Sequence, residues 1–368
     1  LCQSRIWLFY SPAAGGESCG AEFLFMRQEM MRQRRIQQKM RSMGAFLLIL
    51  ILLPYVATVL IHGADRRSLT ENRDCYVNVK IDGENGNELR AVPWQEYFLG
   101  VLALELPEKK ETEFCKAQAV LIRTKLYEEL NRKQIAGEDL ILTDRYLSME
   151  ELEQKGGEDY KTYYKELRRA MEETENQVLF YQGNYAWTPF HQSSSGMTRS
   201  AQEVTGEENF PYLAVRECPL DKEANDEMQI LELPYKEVQT KCQPFLVAVE
   251  EEQVGKTYTF PDFEILSYDS AGYVAELRIG ETVCTGDQFR DALSLSSSAF
   301  SLQEGEEGLK ITTMGNGHGL GMSQWTANEM AKEGKTYEEI LQFFFEGTEL
   351  ADGGDVETMV HPGEISEK

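Results

Sequence analysis

The strongest apolar signal in the chain is one uncharged run, AFLLILILLPYVATVLI, from Ala45 to Ile61. With its flanks it gives a segment, residues 44–62, of about the 20 residues a helix needs to cross a bilayer core, and Pro54 is tolerable inside such a helix. Arg27, Arg32, Arg34, Arg35, Lys39 and Arg41 lie before it and only Arg66 and Arg67 close behind. That imbalance puts residues 1–43 in the cytoplasm and everything after the run outside the cell membrane. Two readings stay open, an uncleaved single-pass anchor and a cleaved signal peptide. The length of the run and the lack of a small-x-small cleavage pattern favour the anchor. Residues 1–25 precede the basic-then-apolar pattern, which starts at Met26 or Met30, and read as translated upstream sequence.

After a polar linker, residues 63–74, the period of the pattern changes repeatedly. Cys75–Ile81 alternates as a strand does, a turn follows at 82–87, and Leu89–Val92 returns as a second strand. Pro93 then opens a helical spacing (Tyr97, Val101, Leu102, Leu104) that Pro107 closes. A second helix is predicted over Glu113–Leu130, with Ala117, Val120, Leu121, Thr124 and Leu126 on one face. The charged stretch Ser148–Glu175 predicts a solvated helical excursion. Gln177–Tyr181 and Tyr185–Phe190, joined at Gly183-Asn184, predict a hairpin. Leu231–Lys310 reads as strand-rich with one short helix, Asp287–Leu295. Ser323 is a suitable N-cap for a helix ending near Gly334, and Thr336–Phe345 forms the last one. The whole is an α+β body, residues 75–350, with a strand-rich insert at about 225–310 and a polar tail at 351–368.

Composition narrows the partners. The formal net charge of −25 over 368 residues, with the basic block confined to the N-terminal part, argues against nucleic acid, whose phosphates need clustered Lys and Arg. It leaves room for a neutral or weakly charged polymer such as a glycan. The seven cysteines are scattered without a CxxC or zinc spacing. No metal and no cofactor is therefore expected; Cys115 reads as a buried apolar residue, and Cys218–Cys242 is a weak disulfide candidate.

Three places carry candidate chemistry. Glu105 sits in the apolar run VLALELP at a helix end. There it lies either on a solvated stripe or in an apolar pocket, where desolvation and the helix C-terminus both favour the protonated acid. His191 opens HQSSSGMTRSA. With no G-x-S-x-G elbow, this stretch suits a hydroxyl-lined loop better than a serine nucleophile. His318 lies among Gly315, Gly317, Gly319 and Gly321, either as a presented imidazole or as part of a plain turn. Lys116, Gln118 and Arg123 on the second helix are either its outer face or part of a site.

In order along the chain, VPWQEYFLGVLALELP with EFCKAQAVLIRT, HQSSSGMTRSAQEVTGEENFPYL, and GNGHGLGMSQWTANEMAKEGKTYEEILQFFFEGTEL resemble the three motifs of the stage II sporulation protein D family, which includes amidase-enhancer proteins. The resemblance spans roughly Val77 to Leu350. It departs from the pattern at Leu106, at Leu121-Ile122 and at Thr326. It implies a lytic transglycosylase that cuts peptidoglycan glycan strands freed of stem peptides, with 1,6-anhydro-muramic ends, during forespore engulfment. Glu105 matches the family's catalytic glutamate. Lys116, Gln118, Arg123, His191, Ser194, Thr198, His318, Ser323 and Gln324 match its substrate-binding positions. The implied partners are glycan strands, a cell-wall amidase and other engulfment membrane proteins. A non-catalytic, glycan-binding amidase enhancer is the alternative, and a structural role through residues 148–175 a third. Residues 125–150 hold no Cys or His, so the zinc that some members carry there is not expected.

Overall fold

Strict alternation forms the first hairpin. In the computed structural model, which describes residues 75–83, 86–106, 110–224, 227–246, 257–354 and 356, β1 (Tyr76–Gly83) pairs antiparallel with β2 (Gly86–Pro93). Val77, Val79 and Val92 are buried. Pro93, at φ −55°, is both the last strand residue and the N-cap of α1 (Trp94–Glu105). Helix α2 (Thr112–Ala136) follows and stops at Gly137, which takes the left-handed φ of 67°. A two-residue strand, β3 (Ile141–Leu142), runs parallel to β1.

Helix α2 is the axis of the main core. Phe114, Ala117, Val120, Leu121, Ile122 and Leu126 are all buried, and they do not fall on one stripe, as expected of a helix packed on several sides. Gln118 and Arg123 are buried among them, so these two residues are not on the outer face of α2.

Helices α3 (Met149–Gly156) and α4 (Tyr160–Glu173) occupy the stretch expected to be a solvated excursion. They pack on α1 and α2 instead, burying Leu152, Tyr163, Leu167 and Ala170. The excursion is thus part of the core wall: its charges lie on the outer face, and the burying positions repeat at helical spacing.

Strands β4 (Gln177–Tyr181) and β5 (Asn184–Tyr185) form a hairpin whose second arm is shorter than expected, because Trp187 N–H turns to the Tyr212 hydroxyl instead of the ladder. The chain re-forms as β6 (Phe190–His191) and then α5 (Ala201–Thr205). The insert holds β7 (Met228–Leu233), α6 (Tyr235–Cys242), the meander β8 (Phe263–Tyr268), β9 (Val274–Ile279) and β10 (Thr282–Thr285), helix α7 (Gly286–Leu293), and β11 (Phe300–Glu304) with β12 (Leu309–Met314). It has its own core of Val274, Leu277, Ile279, Phe289 and Ile311 and, among the described residues, two α-helices rather than the one expected. The second of them, α6, is short and begins at Pro234.

Arg199 fastens the insert to the body. Its buried guanidinium bonds Asp269 at 2.7 Å and Asp287 at 2.9 Å and lies over the Tyr273 ring. The chain returns through β13 (Met322–Ser323), parallel to β6, then α8 (Gln324–Lys332), α9 (Tyr337–Phe344) and β14 (Glu349–Asp352), which pairs with β4.

Cys218 and Cys242 are both free and buried, so the disulfide considered from sequence is not formed; Cys242 belongs to the insert core and Cys218 to that of the body. Among the described residues no helix is long and apolar enough to cross a membrane. The apolar run 45–61 and most of the polar tail lie outside them.

Candidate active site

Glu105 closes α1, on the same flank as Tyr97 and Val101 by their four-residue spacing. It is half-buried. Burial first, and Asp144 second, push its carboxyl above the ordinary range, while the ammonium groups of Lys125 and Lys155 pull the other way. The net direction is upward, toward an acid that keeps its proton.

The end of α1 is clamped from α3 and α4. Lys155 donates to the carbonyl oxygens of Ala103 and Leu106, and the Tyr163 hydroxyl is 3.1 and 3.0 Å from the same two oxygens. These are carbonyls that a helix C-terminus leaves without an internal partner. Lys125, on α2, is ion-paired with Asp144 at 2.6 Å.

The glycine loop reaches this place through its helix. Gln324, the first residue of α8, donates through Nε2 to the Glu105 carbonyl at 3.2 Å and to Gln118 Oε1 at 3.3 Å. Gln118 is fully buried, and its own Nε2 has no hydrogen-bond partner. Glu105 and Gln118, on consecutive helices, are therefore joined by Gln324 from a distant part of the chain.

His191 and His318 form a second pair, with ring centroids 5.8 Å apart. Two glycines allow the approach. A Cβ on Gly317 would meet His191 Cβ at 2.5 Å, and one on Gly321 would meet the Pro189 carbonyl oxygen at 2.0 Å; both residues have positive φ. His191 Nδ1 donates to the Leu320 carbonyl at 3.0 Å, which leaves Nε2 as the bare nitrogen, buried and without a partner. Burial, and then the neighbouring His318, hold its imidazole down to about 3. His318 accepts the Leu320 N–H at Nδ1, 3.0 Å, so its neutral form carries the proton on Nε2. Its pKa is also lowered, by burial first and then by Arg290.

The remaining motif residues are tied inward. Asp221 is fully buried and accepts from Ser194 N–H (2.6 Å), Ser323 hydroxyl (2.7 Å), Thr326 hydroxyl (2.6 Å) and Thr326 N–H (3.2 Å). One carboxylate thus joins the second and third motifs. Thr198 Oγ1 donates to the Ala214 carbonyl and accepts from Arg216 N–H. Lys116 is paired with Glu113 and Glu173, both at 2.7 Å. Arg123 bonds Thr174 Oγ1 and the Gln177 and Met171 carbonyls, lies over Phe98, and is lowered to about 10 by burial. These side chains hold loops and helix ends in place.

A pocket of about 690 Å³ opens beside this constellation. Lys125 and His318 border it together with the rings of Trp187, Phe190 and Phe210. Sequence reasoning missed Lys125, Asp144, Lys155, Tyr163, Asp221 and this aromatic wall. Only Lys125 left a trace, seven residues after Gln118 and so on the same face of α2. Among the described residues no cluster of His, Cys, Asp and Glu could hold a metal ion.

Comparison with known proteins bears on the same residues. A family model described as stage II sporulation protein matches residues 82–181, which include Glu105, Gln118 and Arg123. The chain is 29% identical over 285 residues to stage II sporulation protein D of Bacillus subtilis (strain 168), covering 75% of this chain and 79% of the relative. It is 28% identical over 302 residues to stage II sporulation protein D of Bacillus amyloliquefaciens, covering 76% and 80%. An uncharacterized protein of Brachyspira hyodysenteriae is 29% identical over 274 residues, covering 73% and 69%.

Proposed function

The chain belongs to the stage II sporulation protein D family, and from that premise we propose that it is a lytic transglycosylase of peptide-free peptidoglycan strands, with Glu105 as its single acid and base. The observation that carries this reading is the setting of Glu105. It is a half-buried carboxyl with a raised pKa, on a clamped helix end, bonded at its backbone to the residue that follows the glycine loop.

Protonated Glu105 gives its proton to the glycosidic oxygen as the bond from C1 of the muramic residue to that oxygen breaks. The carboxylate then takes the proton of the C6 hydroxyl of the same residue, and that oxygen closes on C1 as the 1,6-anhydro ring. The proton count balances, and no water is consumed. One carboxyl serves both steps in turn, so no second catalytic carboxylate is needed. Gln118 and Gln324 position the backbone of Glu105, and His191, buried like them, holds the glycine loop through the Leu320 carbonyl.

The same reading places the body outside the cell membrane on an anchor at residues 44–62, where a cell-wall amidase supplies the peptide-free strands. It is tested by incubating the chain with amidase-treated peptidoglycan in water enriched in oxygen-18. Anhydro ends without the label support it. Labelled reducing ends mean a hydrolase. Retained but uncut glycan means the amidase-enhancing module.

A further inference from the structure

Strand β7 of the insert is almost bare. It pairs with β12, from Met228 opposite Met314 to Leu233 opposite Leu309, and among the described residues with no other strand, so the sheet β11-β12-β7 has an open edge. Five of the six β7 residues are exposed, whereas β12 alternates buried and half-buried positions. Met228 is 59% and Ile230 58% exposed. A bare edge offers unpaired N–H and C=O groups to another strand, and chains commonly blunt it with Lys, Pro or a bulge. The β7 sequence, MQILEL, holds neither Lys nor Pro, and its register is unbroken.

The face beside that edge is apolar at one end and acidic at the other. Met228 and Ile230 stand in register with Met314 and Thr312, on the side turned away from the insert core, to which the alternate residues Leu309 and Ile311 belong. A pocket of about 380 Å³ opens on this side between Ala271, Ala299, Ser301, Thr312 and Met314, and no charged residue lines it. At the far end of β7, Glu232 accepts the Glu307 N–H at 2.7 Å. The turn there, residues 304–308, carries Glu304, Glu306 and Glu307 and no basic residue. Lys310 faces Glu232 across the ladder, which leaves these four carboxylates in excess.

We propose that the open edge of β7 docks an extended segment of a partner protein. The segment adds as a fourth strand, as peptides do on other sheet edges. Its alternate apolar side chains lie against Met228, Ile230 and the pocket, and it carries Lys or Arg where it meets the 304–308 turn. Charge selects such a partner over the chain itself. A second copy brings a formal charge of −25, and the polar tail, residues 351–368, brings five carboxylates against one Lys; both meet repulsion at the turn. The docked partner is held on the insert, which Arg199 fastens to the body.

The test titrates two synthetic peptides into the full chain, Lys-Val-Thr-Val-Thr-Val-Lys and the same core ended in Glu. The Lys-ended peptide binds, less tightly as salt rises, and slows amide exchange at residues 228–233. Met228→Thr combined with Ile230→Thr weakens it about tenfold or more. Glu306→Lys combined with Glu307→Lys reverses the preference to the Glu-ended peptide. All four side chains are exposed, so both variants melt with the parent, and the charge reversal carries the test even where the threonine pair does not fold. No binding, equal binding of the two peptides by the parent, or protection confined to other segments would overturn the site. So would a concentration-dependent dimer in sedimentation that the threonine pair abolishes, since the edge then belongs to a second copy.

Discussion

Gln324 donates a hydrogen bond to the backbone carbonyl of Glu105 across 219 positions of sequence. The bond fixes the start of α8 against the end of α1, and through Gln118 it also fixes both to α2. Gln324→Ala removes it and loosens the place where substrate would be held. It should cost about 1 kcal/mol of stability yet lower kcat on the order of 100-fold, as misplacement at a reacting centre does. Chemical denaturation run beside initial rates checks this. A variant that is destabilised by that amount but fully active would refute the positioning role.

Lys155 lowers the Glu105 pKa, after burial, Lys125 and Asp144 in size of effect. Its ammonium lies at the α1 C-terminus and, with Lys125, draws the Glu105 pKa down against burial and Asp144. Lys155→Met removes one of the two lowering charges, so the Glu105 pKa rises further. A general acid works while protonated, and activity falls as pH climbs through its pKa. The alkaline limb of the pH–kcat profile should therefore move to higher pH in Lys155→Met. A limb that stays put or moves down contradicts the assignment.

Asp221 is the joint between two motifs. Removing its carboxylate strands Ser194 N–H and the Ser323 and Thr326 hydroxyls in a buried place, while Thr326 N–H keeps only its cap bond to Ser323 Oγ. Asp221→Ala should lose about 3 kcal/mol or more, seen as a lower midpoint in urea with an unchanged slope. A midpoint within error of the parent would mean that the joint carries no load.

His191 makes the fold sensitive to acid. Its pKa in the folded chain is held down to about 3, mainly by burial, against an unfolded value near 6.5. Between those values the unfolded chain binds the extra proton, so stability rises with pH. Its contribution is present above the unfolded value and drains away as pH falls toward 3. His318, also lowered, acts in the same sense. A melting temperature that drops from pH 7 to pH 4, with a smaller drop in His191→Gln, is the expected result; equal drops would remove His191 as the cause.

Much of this was legible beforehand because it is local. The cap at Ser323, the alternation of β1, the proline that opens α1 and the glycines around His318 are written in neighbouring residues. The shared chemistry of Ser194 and Ser323 was not, because their common partner Asp221 sits in a short 3-10 helix, Pro219–Glu223, far from both in sequence and marked by no motif. The motif residues Lys116 and Arg123 looked like candidates for contact with substrate. Their partners, Glu173 and the carbonyls around Met171, belong to a helix that sequence alone placed in solvent. Long-range pairing decided both cases.

The central claim is that one carboxyl at the end of α1 does the chemistry. The most direct measurement compares the chain with Glu105→Gln on amidase-treated peptidoglycan, with the released glycans read by mass spectrometry. The account predicts 1,6-anhydro-muramic ends from the parent and none, or fewer by at least on the order of 10²-fold, from a variant that melts normally and still retains glycan. Anhydro ends released at the parental rate by Glu105→Gln would contradict it.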